Sequence, residues 1–289
     1  MTDRERRLLE CVVNVSEGRD EKVISTLTAS AGGNLLDVHS DPDHHRSVFT
    51  LAGSADEVQH AARSLALSAV SLVDIRRHSG VHPRIGALDV VPFVSLVGGP
   101  LRDGPLAFAI EARDGFARWA GRDLNLPCFL YGPERGLPEL RKAAWSTLEP
   151  DTGPSSPHVS AGAAAVGARP ALVAYNLWLA ESGLDDARRV AAAVRGPYLR
   201  TLGLATATAV QVSCNLIAPW KVGPGDAFDA VASRACVDRA ELVGLVPLAV
   251  LDAEPKHRWE ELGLSPSATI EARLEGAGLG GGRFGDRDP

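Results

Sequence analysis

The chain has little of several residue types that define whole classes of protein. Its 289 residues include four cysteines, one methionine and 5% aromatics. Cys11, Cys128, Cys214 and Cys236 are far apart, with no Cys-x-x-Cys pair and no zinc-type Cys–His spacing. This excludes a disulfide framework or a cysteine-based zinc site and predicts reduced, buried thiols; a nucleophilic cysteine would need a base beside it. No apolar run reaches eighteen residues, and the charged start Met-Thr-Asp-Arg-Glu-Arg-Arg leads into no signal-type apolar core. Neither membrane insertion nor export is expected, and a cytoplasmic protein fits best. A basic surplus is also missing. The formal net charge of −6 argues against a general nucleic-acid binder, because phosphate recognition needs basic surface.

What is present is ordinary for a globular protein. With 45% hydrophobic and 23% charged residues, the chain can bury one large core or two modest ones, and two compact halves are expected. Residues 8–15 read as a strand that leaves into the polar turn Asn14-Val15-Ser16-Glu17-Gly18-Arg19-Asp20, before a helix through Val23, Ile24 and Leu27. Asn14, Ser16 and Glu17 sit at the carboxyl end of that strand, a ligand-facing edge in an α/β sheet, while Ser16 or Asp20 suits a helix cap instead. Strands are expected at 34–39 and 47–52. Ser54-Ala55-Asp56-Glu57 is a capping box opening a helix to about Ile75, with Val58, Ala62, Leu65, Ala69 and Leu72 on one face. A strand at 87–97, a Gly98-Gly99-Pro100 turn, a helix through Phe108 and Trp119 and a strand at 127–132 follow. Trp119 and Trp145 read as packing residues. Further on, the pattern predicts one strand at 167–179, a helix capped by Asp185, a strictly alternating strand at 210–216, a helix at 224–234, a strand at 242–251 and a short helix at 267–274. Such alternation belongs to the α/β or α+β class, with a boundary near 179–183 and a disordered Gly-rich tail at 276–289.

Three stretches concentrate reactive side chains. The first, His78-Ser79-Gly80-Val81-His82-Pro83-Arg84-Ile85-Gly86-Ala87-Leu88-Asp89, runs straight into an apolar strand. The spacing of His78 and His82 suits a metal pair on a helix, but Gly80 and Pro83 turn the segment into a shaped loop. The residues alone leave open a reactive loop at a strand's mouth or a structural turn with an Arg84–Asp89 ion pair. The second, Ser40-Asp41-Pro42-Asp43-His44-His45-Arg46, has cation-ligand types, yet Asp-Pro-Asp is also a turn. Arg46 would repel a cation and suits a carboxylate clamp. The third, residues 150–163, is rich in Pro, Gly and Ser and lacks the Lys-Ser or Lys-Thr of a phosphate-binding loop. A linker is one reading; its place between ordered strands favours a binding loop.

Taken in order, the motifs resemble the formiminotransferase domain family, that of glutamate formiminotransferase. The resemblance runs through Glu10-Cys-Val-Val-Asn14-Val-Ser-Glu-Gly-Arg19, Leu35-Leu-Asp37, Asp43-His44-His45-Arg46, His82-Pro-Arg-Ile-Gly-Ala-Leu-Asp89, Leu130-Tyr-Gly, Gly153-Pro-Ser-Ser156, Val166-Gly-Ala-Arg169, Tyr175-Asn176, Gln211-Val-Ser-Cys-Asn215 and Glu241-Leu-Val-Gly-Leu-Val-Pro247, covering the chain to about Leu251. It implies two α/β subdomains, residues 1–180 and 181–275, with mixed sheets face to face and helices on the outer surfaces, and a homodimer. It also implies transfer of the formimino group from N-formimino-L-glutamate to tetrahydrofolate in histidine breakdown. Tetrahydrofolate would be the co-substrate and no metal is expected; the partners are small molecules, not nucleic acid or membrane.

Carried over residue by residue, the family's general base falls on His82 and its folate-contacting stretch on Gly153, Pro154, Ser155, Ser156, Pro157, His158, Val159, Ser160, Ala161 and Gly162. The chemistry agrees in kind, since a neutral imidazole, with an ordinary pKa of about 6.5, can take a proton from N5 of the folate. Asp89 or Asp37 could orient that ring, and Arg46, Arg84 and Arg169 suit the glutamyl carboxylates. The chain departs from the family where His39 stands in place of a catalytic carboxylate, for which Asp41 or Asp43 could substitute. His45 replaces an asparagine, Ala161 an aromatic seen in some members, and the C-terminal part is shorter; no cyclodeaminase unit is expected. His39 is therefore kept as a supporting candidate. The departures motivate a second expectation, a folate-binding protein of this fold with little transfer, and a third is metal-dependent hydrolysis at residues 41–45.

Overall fold

Alternation along the first strand sets the architecture. In the computed structural model, which describes residues 8–80, 84–96, 106–206 and 209–279, β1 (Leu8–Val15) turns Leu9, Cys11, Val13 and Val15 into a core where none is more than 1% exposed. β1 pairs antiparallel with β3 (Arg46–Ser54) on one side and β4 (Leu88–Ser95) on the other. Adding β2 (Leu35–Asp41), β5 (Cys128–Tyr131) and β6 (Ala164–Ala168) gives a six-stranded sheet in the order β2-β3-β1-β4-β6-β5. The pairs of β6 with β4 and β5 are parallel, so they need long crossovers.

The helices α1 (Glu21–Ala31), α2 (Ala55–Leu72) and α3 (Leu106–Asp123) cover one face, joining Leu27, Leu65, Ala69 and Phe116 to Phe49, Leu51, Phe93 and Val166 of the strands. Asp20, one of the two cap candidates, caps α1 through the amides of Lys22 and Val23. The expected capping box of Ser54 and Glu57 opens α2. Trp119 packs on Phe116, and Trp145 meets Phe129 edge-on. On the other face, α4 (Leu137–Ala143) and Leu148 pack over Val90, Phe129, Tyr131 and Ala165. Toward β2 that face presents Asp37 and His39, then Val48 and Thr50, because their strand neighbours Val38, Phe49 and Leu51 point to the helices.

The chain divides at Pro170, with residues 1–170 in one compact unit and 171–289 in the other. The second unit holds β7 (Val173–Leu179), β8 (Leu199–Ala205), β9 (Val210–Leu216) and β10 (Val237–Val243) in an antiparallel sheet ordered β10-β7-β9-β8. With them are α5 (Leu184–Val194), α6 (Pro224–Ala232), α7 (Leu248–Ala253) and α8 (Ile270–Gly276). The mixed α/β class is as expected.

Several boundaries differ from the sequence reading. The single strand at 167–179 is two, β6 and β7, separated at Pro170, which has no N–H to give a ladder. Because β7 pairs with β9 and β10, the boundary falls at 170 rather than at 179–183. The apolar run 242–251 is not a strand throughout: β10 ends at Val243, Gly244 takes a φ of 81°, and the rest enters α7 through Pro247. A short apolar run cannot distinguish a strand from a buried helix. Helix α5 is capped at Gly183, whose N–H donates to Asp186 rather than leaving Asp185 as the cap. Strand β8 and helix α4 went unanticipated. The 98–100 turn and the tail from 280 on lie outside the described residues. Of the thiols, Cys11, Cys128 and Cys214 are buried, whereas Cys236 is exposed. Burial raises Cys11 well above an ordinary thiol and pushes Cys128 and Cys214 up to about 12, so these three are poor nucleophiles. No helix among the described residues is long and apolar enough to cross a membrane.

Phe116 sits at the centre of the first core, with no exposed surface. Phe116→Ala is expected to lower the unfolding free energy by about 3–5 kcal/mol, read from urea denaturation midpoints at unchanged slope.

Candidate functional site

Two glycines bring the first and third reactive stretches together. A Cβ on Gly86 would stand 1.9 Å from the Ala163 carbonyl oxygen and 2.4 Å from that of Ala161, so only glycine lets the entry to β4 lie against residues 161–163. Gly162 answers from the other side with a φ of 69°, close under the Ile85 carbonyl. Backbone bonds close the contact: Ala87 donates to Ala161 at 2.9 Å and Ala163 to Ile85 at 3.1 Å. Ile75, just beyond α2, donates to the Ser160 carbonyl at 2.8 Å. The 153–162 stretch is thus a folded loop tied to both sides of the 76–84 segment, not a linker. Within it, His158 and Gly162 exchange backbone bonds of 2.8 and 2.9 Å, and the Ala161 N–H donates to His158 Nδ1 at 3.1 Å, leaving the ring's proton on Nε2. Ser155, Ser156, Pro157 and Val159 are exposed at its tip, while Ala161 is buried. His82 itself, with Val81 and Pro83, lies outside the described residues.

Around that segment the β2–β3 hairpin is held by its own polar groups. Asp41 Oδ1 accepts from the amides of Asp43 and His44, both at 2.8 Å, which makes this carboxylate a turn-former. His45 takes a left-handed φ of 50°, a conformation that suits asparagine and that histidine tolerates. Its Nε2 meets Glu17 Oε1 at 3.1 Å and its Nδ1 the Ser79 carbonyl at 3.1 Å, so it staples the loop to the end of β1. Burial works against the Glu17 carboxylate, but the amides of Asp20 and Arg19 and the His45 ring together hold its pKa below the ordinary range. Arg19 reaches the Pro42 carbonyl at 2.7 Å. Ser16 is neither a cap nor ligand-facing: its hydroxyl donates to the Gly86 carbonyl at 2.8 Å.

His78 stacks on His45, with ring centroids 4.0 Å apart, and its Nε2 bonds the His45 carbonyl at 2.8 Å. The Arg84 guanidinium lies against the same ring and points its other nitrogen at the His44 carbonyl. Burial, helped by the Arg84 charge, lowers the His78 pKa to about 4, so the ring is neutral at physiological pH. Arg84 and Arg46 are both lowered by burial, with Asp89 pulling each back up. Asp89 is 2% exposed; one oxygen accepts from the Ile85 amide at 2.7 Å and the other from Arg141 of α4 at 2.6 Å. Among the described residues no hydrogen-bond or ion-pair partner meets the Arg46 guanidinium, the state in which it can grip a carboxylate. Arg169 bonds the Pro170 carbonyl and the Tyr131 hydroxyl, at the far side of the sheet.

The structure therefore gathers Arg84, Asp89 and the 153–162 loop at the entry to β4, and sets Asp37, His39 and Arg46 on β2 and β3. Sequence reasoning missed Arg141, because α4 was not seen, and Ser79, which contributes only a carbonyl. It also passed over Thr50, whose polar side chain between Phe49 and Leu51 was the available signal. Among the described residues no group of three or more His, Cys, Asp or Glu side chains is placed to hold a metal ion.

Comparison with known proteins adds independent findings. A family model described as the formiminotransferase domain, N-terminal subdomain, matches residues 8–169. The chain is 35% identical over 279 residues to the glutamate formimidoyltransferase of Streptococcus pyogenes serotype M1, covering 85% of this chain and 91% of that protein. It is 29% identical to the glutamate formimidoyltransferase of Thermoplasma acidophilum, covering 93% and 98% respectively. It is 34% identical to the formimidoyltransferase-cyclodeaminase of Sus scrofa, matching 86% of this chain but only 52% of that longer protein.

Two predictions follow from the geometry. Gly86→Ala is expected to cost about 3 kcal/mol or more in unfolding free energy, and to expose residues 153–162 to limited proteolysis before global unfolding. His78 is expected to titrate with a midpoint near pH 4 in ring-proton NMR. Because its pKa is lower folded than unfolded, it adds nothing above about pH 6.5, and stability falls as pH drops from there toward the folded value. A His78→Gln variant should show a shallower fall in thermal midpoint over that window.

Proposed function

This chain belongs to the formiminotransferase family, and from that premise we propose that it transfers the formimino group from N-formimino-L-glutamate to tetrahydrofolate, with His82 as general base. It is a transferase, and tetrahydrofolate enters as co-substrate. The observation that carries this reading is the 153–162 loop, bonded to Ile75 and to residues 85–87 on both sides of the segment holding His82. A folate lying along that loop would bring N5 near the imidazole. N5 then attacks the formimino carbon as the imidazole takes its proton; the new N5–carbon bond forms, the bond to the glutamate nitrogen breaks, and the proton passes to the departing amine. Such a base contributes on the order of 10²–10⁴ in rate, and positioning supplies the rest.

Arg46 and Arg84 serve as carboxylate clamps in this account, since both substrates carry glutamyl carboxylates and both guanidinium groups are held in partly buried positions where a charge-assisted bond is strong. Asp89 acts by fixing the Ile85 amide and Arg141 next to the loop, and Asp37 and His39 remain as supporting residues on the sheet face. We read the two units as the family's N- and C-terminal subdomains and place the enzyme in the cytoplasm, as a homodimer, in histidine breakdown. A metal has no part in the reaction as written.

The test is His82→Asn. Folate-dependent consumption of N-formimino-L-glutamate should fall by about 10²–10⁴ in kcat, with the thermal midpoint unchanged. An unaltered rate would remove His82 from this role.

A further inference from the structure

Thr50 is the least explained polar group on the face of the first sheet turned away from the helices. It sits mid-strand on β3 at 1% exposure, and its hydroxyl has no hydrogen-bond partner. A buried hydroxyl left unpaired is destabilising, and valine has the same shape without that cost. A hydroxyl at such a position points to a partner that arrives with a ligand. The surroundings say which kind. In register, Thr50 lies opposite Asp37 of β2, on the face turned away from the helices, and cross-strand neighbours of this sort stand about 5 Å apart. Arg46, the guanidinium without a partner among the described residues, is four positions earlier on the same strand face. That separation is about 13 Å along the strand, and an extended arginine side chain spans part of it. The lane thus offers a cation at one end and a carboxylate with a hydroxyl at the other.

We propose that Thr50 is a donor-binding residue: its hydroxyl oxygen accepts from the N–H of the formimino group, beside Asp37, while Arg46 holds a carboxylate of the same molecule. This rests on the function proposed above and deepens it. The formimino group is an amidine on the α-nitrogen, cationic near neutral pH, so N-formimino-L-glutamate carries positive charge beside its α-carboxylate and a second carboxylate at the far end of its side chain, the one set to reach Arg46. Its charge order matches the lane. A folate's 2-amino-pyrimidinone also presents amidine-type N–H groups, but it is uncharged near neutral pH and the aminobenzoyl spacer sets its glutamyl carboxylates too far away to meet Arg46 at the same time.

The experiment compares wild type with Thr50→Val and Thr50→Ser. Thr50→Val should raise KM for N-formimino-L-glutamate about tenfold, the equivalent of one lost hydrogen bond, with kcat within twofold and KM for tetrahydrofolate unchanged. Its ligand-free thermal midpoint should rise by about 2–4 °C as the orphan hydroxyl is removed, and Thr50→Ser should restore the wild-type KM. An unchanged donor KM in Thr50→Val, or a rise confined to tetrahydrofolate, overturns the assignment. A thermal-shift titration with N-formimino-L-glutamate alone separates this inference from the functional reading. If wild type binds the compound and Thr50→Val does not, Thr50 stands as a binding residue even where no transfer is seen; if neither protein is stabilised by it, the inference falls.

Discussion

The contact between Gly86 and Gly162 is the constraint on which the rest of the site depends. Two backbones approach so closely there that a methyl group on Gly86 would overlap the carbonyls of Ala161 and Ala163. Through it the loop that precedes β6 is fixed against the entry to β4, and these two strands then run parallel as neighbours in one sheet. Backbone bonds to Ile75, Ile85 and Ala87 hold the loop without using its side chains. Ser155, Ser156 and Val159 stay exposed at its tip, where the proposed folate contact would fall. A rigid floor of this kind makes positioning available to catalysis, because a loop already folded gives up little entropy when a ligand binds.

The arginines of the first unit divide by how their charge is met. Arg113 is 2% exposed yet fully paired: Glu134 grips it with both oxygens at 2.7 and 2.8 Å, Asp114 takes Nε, and the Tyr131 carbonyl accepts at 3.2 Å. These partners keep its pKa raised despite burial, and its work is to hold α3 to the end of β5. Arg46 is the opposite case. It is lowered by burial, feels Asp89 and Asp41 only at a distance, and has no ion-pair partner among the described residues. A half-buried cation left in that state is costly unless an anion joins it. Formimino transfer brings glutamyl carboxylates with both substrates, and in the proposed clamp role of Arg46 the same imbalance would contribute to binding.

Much of the fold was legible because local rules and tertiary packing agree. The strand at residues 8–15, the capping box at Ser54, the inward face of β9 and the periodicity of α2 as far as Ala69 survive into the structure. Where they failed, a single residue overrode an apolar run. Pro170 cut one strand into two and moved the boundary, and Gly244 with Pro247 converted the end of a strand into a helix. The site was legible only as separate stretches. Nothing local shows that Gly86 faces Gly162, that Asp89 is shared between Ile85 and Arg141, or that His45 staples Glu17 to Ser79, since each joins residues far apart in the chain. The family resemblance supplied roles for His82 and the 153–162 stretch. The physical reading adds why that stretch is folded and why His78, neutral and packed beneath Arg84, belongs to the loop's support.

The central claim is that this chain moves an intact formimino carbon from glutamate nitrogen to folate nitrogen. It is tested most directly by supplying N-formimino-L-glutamate labelled with ¹³C in the formimino group, together with unlabelled tetrahydrofolate and stoichiometric enzyme, and following the label by NMR. The account predicts that the labelled carbon appears bonded to N5 of the folate as free glutamate is released in equal amount. Label that remains on glutamate, or that leaves as a hydrolysis product with no folate adduct formed, would contradict it.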